Sequence, residues 1–241
     1  MITRRLFLSV IIPLYNEQNR LKKLTRIYRF LSQQKFNHEV ILINDGSTDN
    51  TLRKINKLSD KFKFTLITYE KNRGKGFALK TGILAAEGRY LLFTDIDLST
   101  PIEEFTKFIP FLKKNNIIIG SRKTRGSTLQ KRQGFIRENL GKGFTVLSQI
   151  ILNLHISDFT CGFKCFPQEA AKEIFSKQKI ERWGFDSETL FLAKKFGYEI
   201  IEVPVKWSND PRTKVKFPKD ISESLLDLYK TRYNDFKKRY H

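Results

Sequence analysis

The chain has 241 residues, of which 40% are hydrophobic and 21 are phenylalanine, so its composition excludes a disordered chain and allows a full buried core. Its formal charge of +20 favours an anionic partner (nucleic acid, an anionic membrane surface or a phosphorylated substrate), although a basic, solvated surface would also produce it. Two cysteines, Cys161 and Cys165, and three scattered histidines argue against a zinc site and a disulfide framework, which favours a reducing, cytosolic setting.

The amino-terminal apolar run follows Arg4 and Arg5 and so imitates a signal peptide. It lacks a small-residue cleavage site and continues into a polar cluster at 15–17, and we therefore interpret it as the first strand. No apolar stretch reaches the roughly 18 residues needed to span a bilayer. We expect a protein that is soluble or lies on a membrane without crossing it.

In the first half of the chain, apolar runs typical of strands alternate with segments typical of helices. Strands are predicted at 7–13, 39–44, 64–69, 89–94 and 116–120. Helices are predicted at 17–34, at 49–60, from 74 to just before 88, and from 100 onward. Asn16 is the expected cap of the first helix, and Thr100 followed by Pro101 begins the last. The alternation predicts an α/β fold with a mostly parallel sheet and helices on both faces.

The second half is less regular. A basic stretch at 121–133 predicts a mobile loop, and helices are predicted at 135–156, 168–176, 186–196 and from about 219 to 240, with an extended stretch at 159–166 and a strand at 199–207. The first and last of these helices are amphipathic, and each apolar face could pack on the core or on a membrane. We divide the chain into an α/β domain at 1–210 and a basic, helical extension at 211–241.

Three of the predicted strands end in polar clusters, which would meet at one edge of a parallel sheet, where open α/β folds bind ligands. Asp95 and Asp97 follow the fourth strand. Two carboxylates at this spacing can share Mg²⁺ or Mn²⁺, and such a cation pairs with a diphosphate. Acidic residues after a strand can also be turn residues, but the neighbouring clusters favour a metal site, with Asp97 as the principal ligand and Asp95 bound directly or through water.

Other clusters suit the remaining parts of a nucleotide or a phosphate. Asn44 and Asp45 could contact a base or ribose, or form a plain helix-start turn. The glycines and basic residues at 72–76 suit phosphate, although this signal is weak when taken alone. The Lys/Arg run from Arg122 to Arg137 could bind an acceptor phosphate through paired N–H donors or form a solvated face.

Together these residues resemble glycosyltransferase family 2, which has the GT-A fold. The ordered motifs that carry the resemblance lie at 11–17, 44–49, 72–76, 94–100, 120–122, 158–164 and 182–188. Within the family the chain looks like the polyprenyl- and dolichyl-phosphate sugar transferases. Its Cys-Gly-Phe-Lys motif, followed by Glu-Arg-Trp-Gly-Phe-Asp-Ser-Glu, is similar to the dolichyl-phosphate β-glucosyltransferase branch rather than to the mannose-phosphate branch.

The resemblance implies an inverting transfer from a nucleotide sugar onto a polyprenyl phosphate, with UDP-glucose as the expected donor. Carried over by position, the nucleotide-sugar pocket comprises Pro13, Tyr15, Glu17, Asn44, Asp45, Arg73, Lys75 and Asp95. The resemblance also implies that Asp95 and Asp97 bind the metal, that Arg122 and Arg137 hold the acceptor phosphate, and that Asp158 lies near the reaction centre. The chain departs from the family pattern at Asn44, where Asp is frequent, and at Ser99, where several relatives carry Gln.

Several alternatives stay open. The donor could be GDP-mannose or a UDP-hexosamine, and the acceptor could be a saccharide instead of a lipid phosphate. The charge and the amphipathic helices favour a peripheral position on the cytoplasmic face of an anionic membrane. Nucleic acid is not an expected partner, because no recognised nucleic-acid-binding module is present.

Overall fold

A computed structural model of the protein describes residues 6–131, 134–212 and 219–241, without the side chains of 135–137 and 219. The strands are β1 (Leu8–Leu14), β2 (His38–Asp45), β3 (Thr65–Tyr69), β4 (Tyr90–Thr94), β5 (Asn116–Ser121), β6 (Thr128–Lys131), β7 (Phe163–Pro167), β8 (Glu199–Pro204) and β9 (Lys206–Ser208). The helices are α1 (Leu24–Ser32), α2 (Thr51–Leu58), α3 (Lys75–Ala85), α4 (Phe135–Leu152), α5 (Gln168–Lys177), α6 (Phe185–Lys195) and α7 (Lys219–Phe236).

A seven-stranded sheet organises the molecule, with the order β3-β2-β1-β4-β7-β5-β8. All neighbouring strands are parallel except β7, which runs antiparallel to β4 and β5. The predicted α/β fold with a mostly parallel sheet is therefore confirmed. A separate two-stranded sheet pairs β6 with β9.

Each face of the large sheet is covered by helices because the strands carry apolar side chains on both faces. Ile11, Ile43 and Phe93 pack with α3, α5 and α6 on one face. Val10 and Leu92 pack with α1 and the 3₁₀ segment Ile102–Lys107 on the other. Leu228 and Tyr240 at the carboxyl end join the first of these two cores. No helix within the described part of the chain is long and apolar enough to cross a membrane.

The predicted helix at 17–34 begins later than expected. A 3₁₀ turn at Leu21–Lys23 precedes α1, and Asn16 does not cap it. Asn16 instead has a φ of 51°, and its side-chain oxygen accepts from the backbone N–H of Thr48 at 2.8 Å. The backbone N–H of Glu17 donates to the Thr51 hydroxyl at 2.7 Å. The polar groups of this segment are engaged by the loop after β2, so they do not begin a helix.

Three further segments differ from the predicted secondary structure. The helix expected at Thr100 is a 3₁₀ segment (Ile102–Lys107), and no side-chain hydrogen bond caps its start. The loop predicted at 121–133 contains β6, because its backbone is paired: the N–H of Thr128 donates to the carbonyl of Val205 at 3.2 Å. The strand predicted at 199–207 is divided, since β8 ends in the large sheet and β9 continues in the small one.

Candidate active site

The carboxyl ends of β1, β2 and β4 lie side by side at one edge of the large sheet. In the parallel register Leu14 is opposite Asn44, and Ile11 is opposite Phe93. The three polar clusters that follow these strands therefore meet, as the sequence pattern predicted. Pro13 and the half-exposed Tyr15 lie at the end of β1 within this edge.

Asp45 organises the loop at 72–74 through its carboxylate. It accepts from the backbone N–H groups of Arg73 at 2.8 Å and Gly74 at 2.9 Å, and from the side-chain amide of Asn72 at 2.7 Å. These bonds fix the orientation of the carboxylate, which is buried. Asn44 is also engaged, because its amide donates to the Thr68 hydroxyl at 2.9 Å.

The loop held by Asp45 presents a basic and aromatic surface. The Arg73 guanidinium lies 3.4 Å from the centre of the Phe77 ring and pairs with Glu181. Gly74 has a φ of 109°, and a Cβ there would come within 2.7 Å of the Glu181 carbonyl oxygen. A glycine at this position therefore allows the loop to pack closely against the chain at 180–182.

Asp95 and Asp97 face a small cavity at the end of β4. The cavity has a volume of about 20 Å³ and is lined by Thr94, Asp95, Asp97, Ser99, Thr100, Gly162 and Trp207. Asp95 pairs with the ammonium of Lys75 at 2.6 Å. Asp97 accepts from the backbone N–H of Ser99 at 2.9 Å. Burial, and then the charge of Asp95, raise the pKa of Asp97.

These two carboxylates fit a hard divalent cation. Their mutual repulsion is relieved by a cation between them, and the cavity can admit one particle the size of a water molecule. Among the described residues no group of three His, Cys, Asp or Glu side chains could hold a metal ion. Mg²⁺ commonly uses one or two carboxylates and completes its shell with substrate phosphates and water, so the pair suffices.

Glu17 lies in an ion-pair network at the same edge. The buried guanidinium of Arg20 binds Glu17 at 2.9 Å and Asp210 at 3.1 Å. Arg20 also donates to the carbonyl of Arg212 at 2.5 Å, which fastens the segment after β9 to the end of β1. Lys23 donates to the backbone carbonyl of Asp97. This network was not predicted, because only the folded chain brings 210–212 to residue 20.

Arg122 and Asp158 form a buried pair next to the cavity. Two guanidinium nitrogens each bind the carboxylate at 2.7 Å, and the Thr160 hydroxyl accepts a further bond at 2.9 Å. Burial opposes ionisation of Asp158, but the charge and hydrogen bonds of Arg122 outweigh it and lower the pKa of Asp158. The other terminal nitrogen of Arg122, Nη1, makes none of these bonds, so its N–H groups can donate to a phosphate. The side chain of Arg137 lies outside the described residues.

A second buried pair supports the turn at 161–164. Lys164 pairs with Asp186, which belongs to the motif at 182–188, and donates to the carbonyl of Cys161 at 2.8 Å. The next residue, Gly162, lies against Asp95: a Cβ at this position would be 2.1 Å from the Asp95 Oδ2 atom. Gly162 and Lys164 belong to the Cys-Gly-Phe-Lys motif, but no sequence pattern predicted that they contact Asp95 and Asp186.

Comparison with known proteins agrees with this architecture. Residues 9–175 match the family model described as Glycosyl transferase family 2. The chain is 37% identical to a dolichyl-phosphate beta-glucosyltransferase of Dictyostelium discoideum, over 95% of this chain and 74% of that protein. It is 35% identical to the Homo sapiens protein of the same name, over 83% of this chain and 67% of the relative.

Solved structures share the fold at low identity. The structure of glucosyl-3-phosphoglycerate synthase from Mycobacterium tuberculosis, in complex with Mn²⁺, UDP and glucosyl-3-phosphoglycerate, matches with a TM-score of 0.64 and 16% identity. The match covers 94% of this chain and 78% of the other. Mannosyl-3-phosphoglycerate synthase from Rubrobacter xylanophilus matches with a TM-score of 0.68 and 12% identity, over 97% of this chain and 74% of the other.

Proposed function

This chain belongs to glycosyltransferase family 2, and from that membership we propose that it transfers glucose from UDP-glucose to a dolichyl or other polyprenyl phosphate, with inversion. One observation carries the proposal: the Asp95–Asp97 pair, the loop held by Asp45 and the Arg122–Asp158 pair come together at one sheet edge. The names of the relatives with 35–37% identity support the sugar and the acceptor class.

The proposed roles follow from the chemistry of each side chain. Asp45 and Arg73 would bind the nucleotide, and Lys75 would place a positive charge beside its diphosphate. A phosphate monoester with a second pKa near 6 is already a nucleophile at neutral pH, so the enzyme must mainly position it and shield its charge. Arg122 would do this with its remaining N–H groups, held in orientation by Asp158.

Asp95 and Asp97 would hold Mg²⁺ or Mn²⁺. The bound cation would stabilise the negative charge of the departing diphosphate. Asp95 is paired with Lys75, whereas burial and the charge of Asp95 raise the pKa of Asp97, which supports Asp97 as the principal ligand. We expect Asp97→Ala to abolish turnover and excess EDTA to stop the reaction; full activity in EDTA would contradict the metal assignment.

A panel of nucleotide sugars tests the donor and the acceptor together. The protein is incubated with UDP-glucose, GDP-mannose or UDP-N-acetylglucosamine, each with a polyprenyl phosphate or, in parallel, with an oligosaccharide, and the glycosylated product is identified by mass spectrometry. We expect a hexosyl phosphate lipid from UDP-glucose. A product formed only from GDP-mannose or the hexosamine donor would overturn the choice of glucose, and a product formed only on a saccharide would overturn the choice of acceptor.

We also propose that the protein lies on an anionic membrane surface, on the cytoplasmic face, because its acceptor would be a lipid. The helices α4 and α7 pack against each other, and both leave apolar side chains exposed. Ile150 of α4 is 71% exposed and Phe236 of α7 is 80% exposed. The positive net charge would add attraction to anionic lipid, about 1 kcal/mol for each Lys or Arg near the surface.

Sedimentation with vesicles tests this surface. We expect the protein to pellet with phosphatidylserine vesicles at low salt and less at high salt, and to pellet less when Ile150 and Phe236 are both changed to Glu. In the matched control, Ile109 and Phe111 are both changed to Glu. These residues lie outside α4 and α7 and are 41% and 40% exposed. Equal pelleting of the two double variants would refute a role for α4 and α7.

A further inference from the structure

Trp207 forms one wall of the cavity at Asp95 and Asp97, although the sequence motifs do not single it out. It lies in the short strand β9 and is nearly buried. The remainder of the cavity wall comes from the end of β4, the turn after it and Gly162. The indole is the one large apolar side chain among the described residues of the cavity wall, and the other lining residues are small or polar. Its presence there therefore calls for an explanation other than apolar packing.

The position of the indole is tied to the position of Asp97. The backbone N–H of Ser208 donates to the carbonyl of Ser99 at 2.8 Å, while the N–H of Ser99 donates to the Asp97 carboxylate at 2.9 Å. Pairing of Trp207 with Leu129 of β6 fixes the strand from its other side. The turn at 97–99 therefore fixes the positions of both the Asp97 carboxylate and the Trp207 ring.

Trp207 also lies close to the Arg122–Asp158 pair. The Arg122 guanidinium lies 5.3 Å from the centre of the indole ring, within the range of a cation–π interaction. The indole is thus close to two groups: the carboxylates, which would face the donor diphosphate, and Arg122, which would face the acceptor phosphate. In the proposed transfer, the bond from the sugar to the donor phosphate breaks and the bond to the acceptor phosphate forms near these groups.

We propose that Trp207 is the residue that contacts the transferred sugar and that its indole face selects a hexose. This inference rests on the proposed function. A hexopyranose with equatorial hydroxyl groups has an apolar C–H face, and this face packs well against an aromatic ring. The indole also keeps water away from the gap between the two phosphates, where charge interactions are stronger in the absence of water.

The chain contains two tryptophans, Trp183 and Trp207, which makes a spectroscopic test possible. In the variant Trp183→Phe, all tryptophan fluorescence comes from Trp207. UDP and UDP-glucose are each titrated in Mg²⁺, without acceptor, and their binding is measured separately by calorimetry. We expect UDP-glucose to change the intensity or wavelength of Trp207 emission clearly more than UDP does, because only the sugar reaches the indole.

The outcomes separate this inference from the function on which it rests. If both nucleotides bind and their fluorescence responses are the same, the sugar contact is refuted while the proposed donor site stands. If neither nucleotide binds in calorimetry, the proposed function fails and the inference fails with it. A larger response to UDP-glucose at comparable occupancy supports the contact directly, without any measurement of turnover.

Substitutions in the otherwise wild-type protein provide the second test. Trp207→Ala should lower kcat/KM for UDP-glucose by about tenfold or more, equivalent to about 1.4 kcal/mol of transition-state stabilisation, while the Kd for UDP stays within about twofold. Trp207→Phe should recover most of the activity, since it keeps an aromatic face. If Trp207 serves only to pack β9, Trp207→Ala will lower the unfolding temperature and weaken UDP and UDP-glucose binding equally, which would overturn the proposal.

Discussion

At the scale of single residues, the site depends on close approaches that only particular side chains permit. Gly162 touches the carboxylate of Asp95, and Arg122 forms two short bonds with the fully buried Asp158. Aspartates at strand ends could be predicted from the sequence because they follow apolar runs. Gly162 could be assigned to a motif, but its contact with Asp95 could not be predicted, since the two residues are 67 positions apart in the chain.

Gly162→Ala should reduce activity and leave the fold intact. The new methyl group would collide with the Asp95 carboxylate, which is the end of a side chain and can move away. We expect kcat/KM to fall by about tenfold or more, with a change in unfolding free energy below about 1 kcal/mol. Gly143→Ala is the matched control, because nothing lies within 4 Å of its Cβ position. Equal activity of the two variants would contradict the role of Asp95.

Arg122→Gln should destabilise the protein as well as impair transfer. It leaves the buried carboxylate of Asp158 without its partner, which costs about 3–5 kcal/mol in comparable buried pairs. The double variant Arg122→Gln, Asp158→Asn should recover part of this loss in chemical denaturation. If Arg122→Gln were as stable as the wild type, the ion pair would have no role in stability and would act only in substrate binding.

The same pair sets a pH dependence of stability. Because the pKa of Asp158 is lowered in the folded state, its ionised form stabilises the fold at pH values above its ordinary pKa of about 3.9. That contribution is lost as pH falls through the lower, folded-state value. Acid unfolding of the wild type should show this loss, and the double variant should lack it; identical acid dependence in both would be the contrary result.

At the scale of elements, the parts that were mispredicted are those held by distant partners. Local periodicity indicated β1 to β5 and the helices α2 and α3 to within a few residues, whereas α1 begins later than predicted and a 3₁₀ segment stands between β4 and β5. It could not indicate that β6 pairs with β9, or that β7 enters the sheet in the reverse direction, because strand pairing depends on which segments meet in the folded chain. The same limit applies to the Arg20–Asp210 ion pair, which spans 190 positions.

A buried hydrogen bond links Tyr240, near the carboxyl end, to α6. The Tyr240 hydroxyl donates to Glu188 at 2.6 Å, and Glu188 also accepts from the backbone N–H of Ile180 at 2.9 Å. Tyr240→Phe should lower the unfolding free energy by about 1–3 kcal/mol, because a hydrogen bond to a buried carboxylate is lost. Tyr229→Phe, the same change at a residue that is 67% exposed, should have an effect below about 0.5 kcal/mol.

At the scale of the whole molecule, the division into a domain at 1–210 and an extension at 211–241 stays a prediction. The core includes Leu228 and Tyr240 together with Phe191, so the extension covers apolar surface of the domain. We expect a chain that ends at 210 to unfold at a lower denaturant concentration than the full chain. Equal midpoints would show that the domain is independent of its extension.

The antiparallel strand β7 limits where the chain can accept insertions. Because β7 enters the sheet where β4 leaves it, Phe163 lies opposite Thr94, and the short connection before it holds both Asp158 and Gly162 in place. Adding even one amino acid between 158 and 163 would displace either the arginine partner or the neighbour of Asp95. Insertions should therefore be tolerated at the opposite edge, near 113–115, and rejected in this connection.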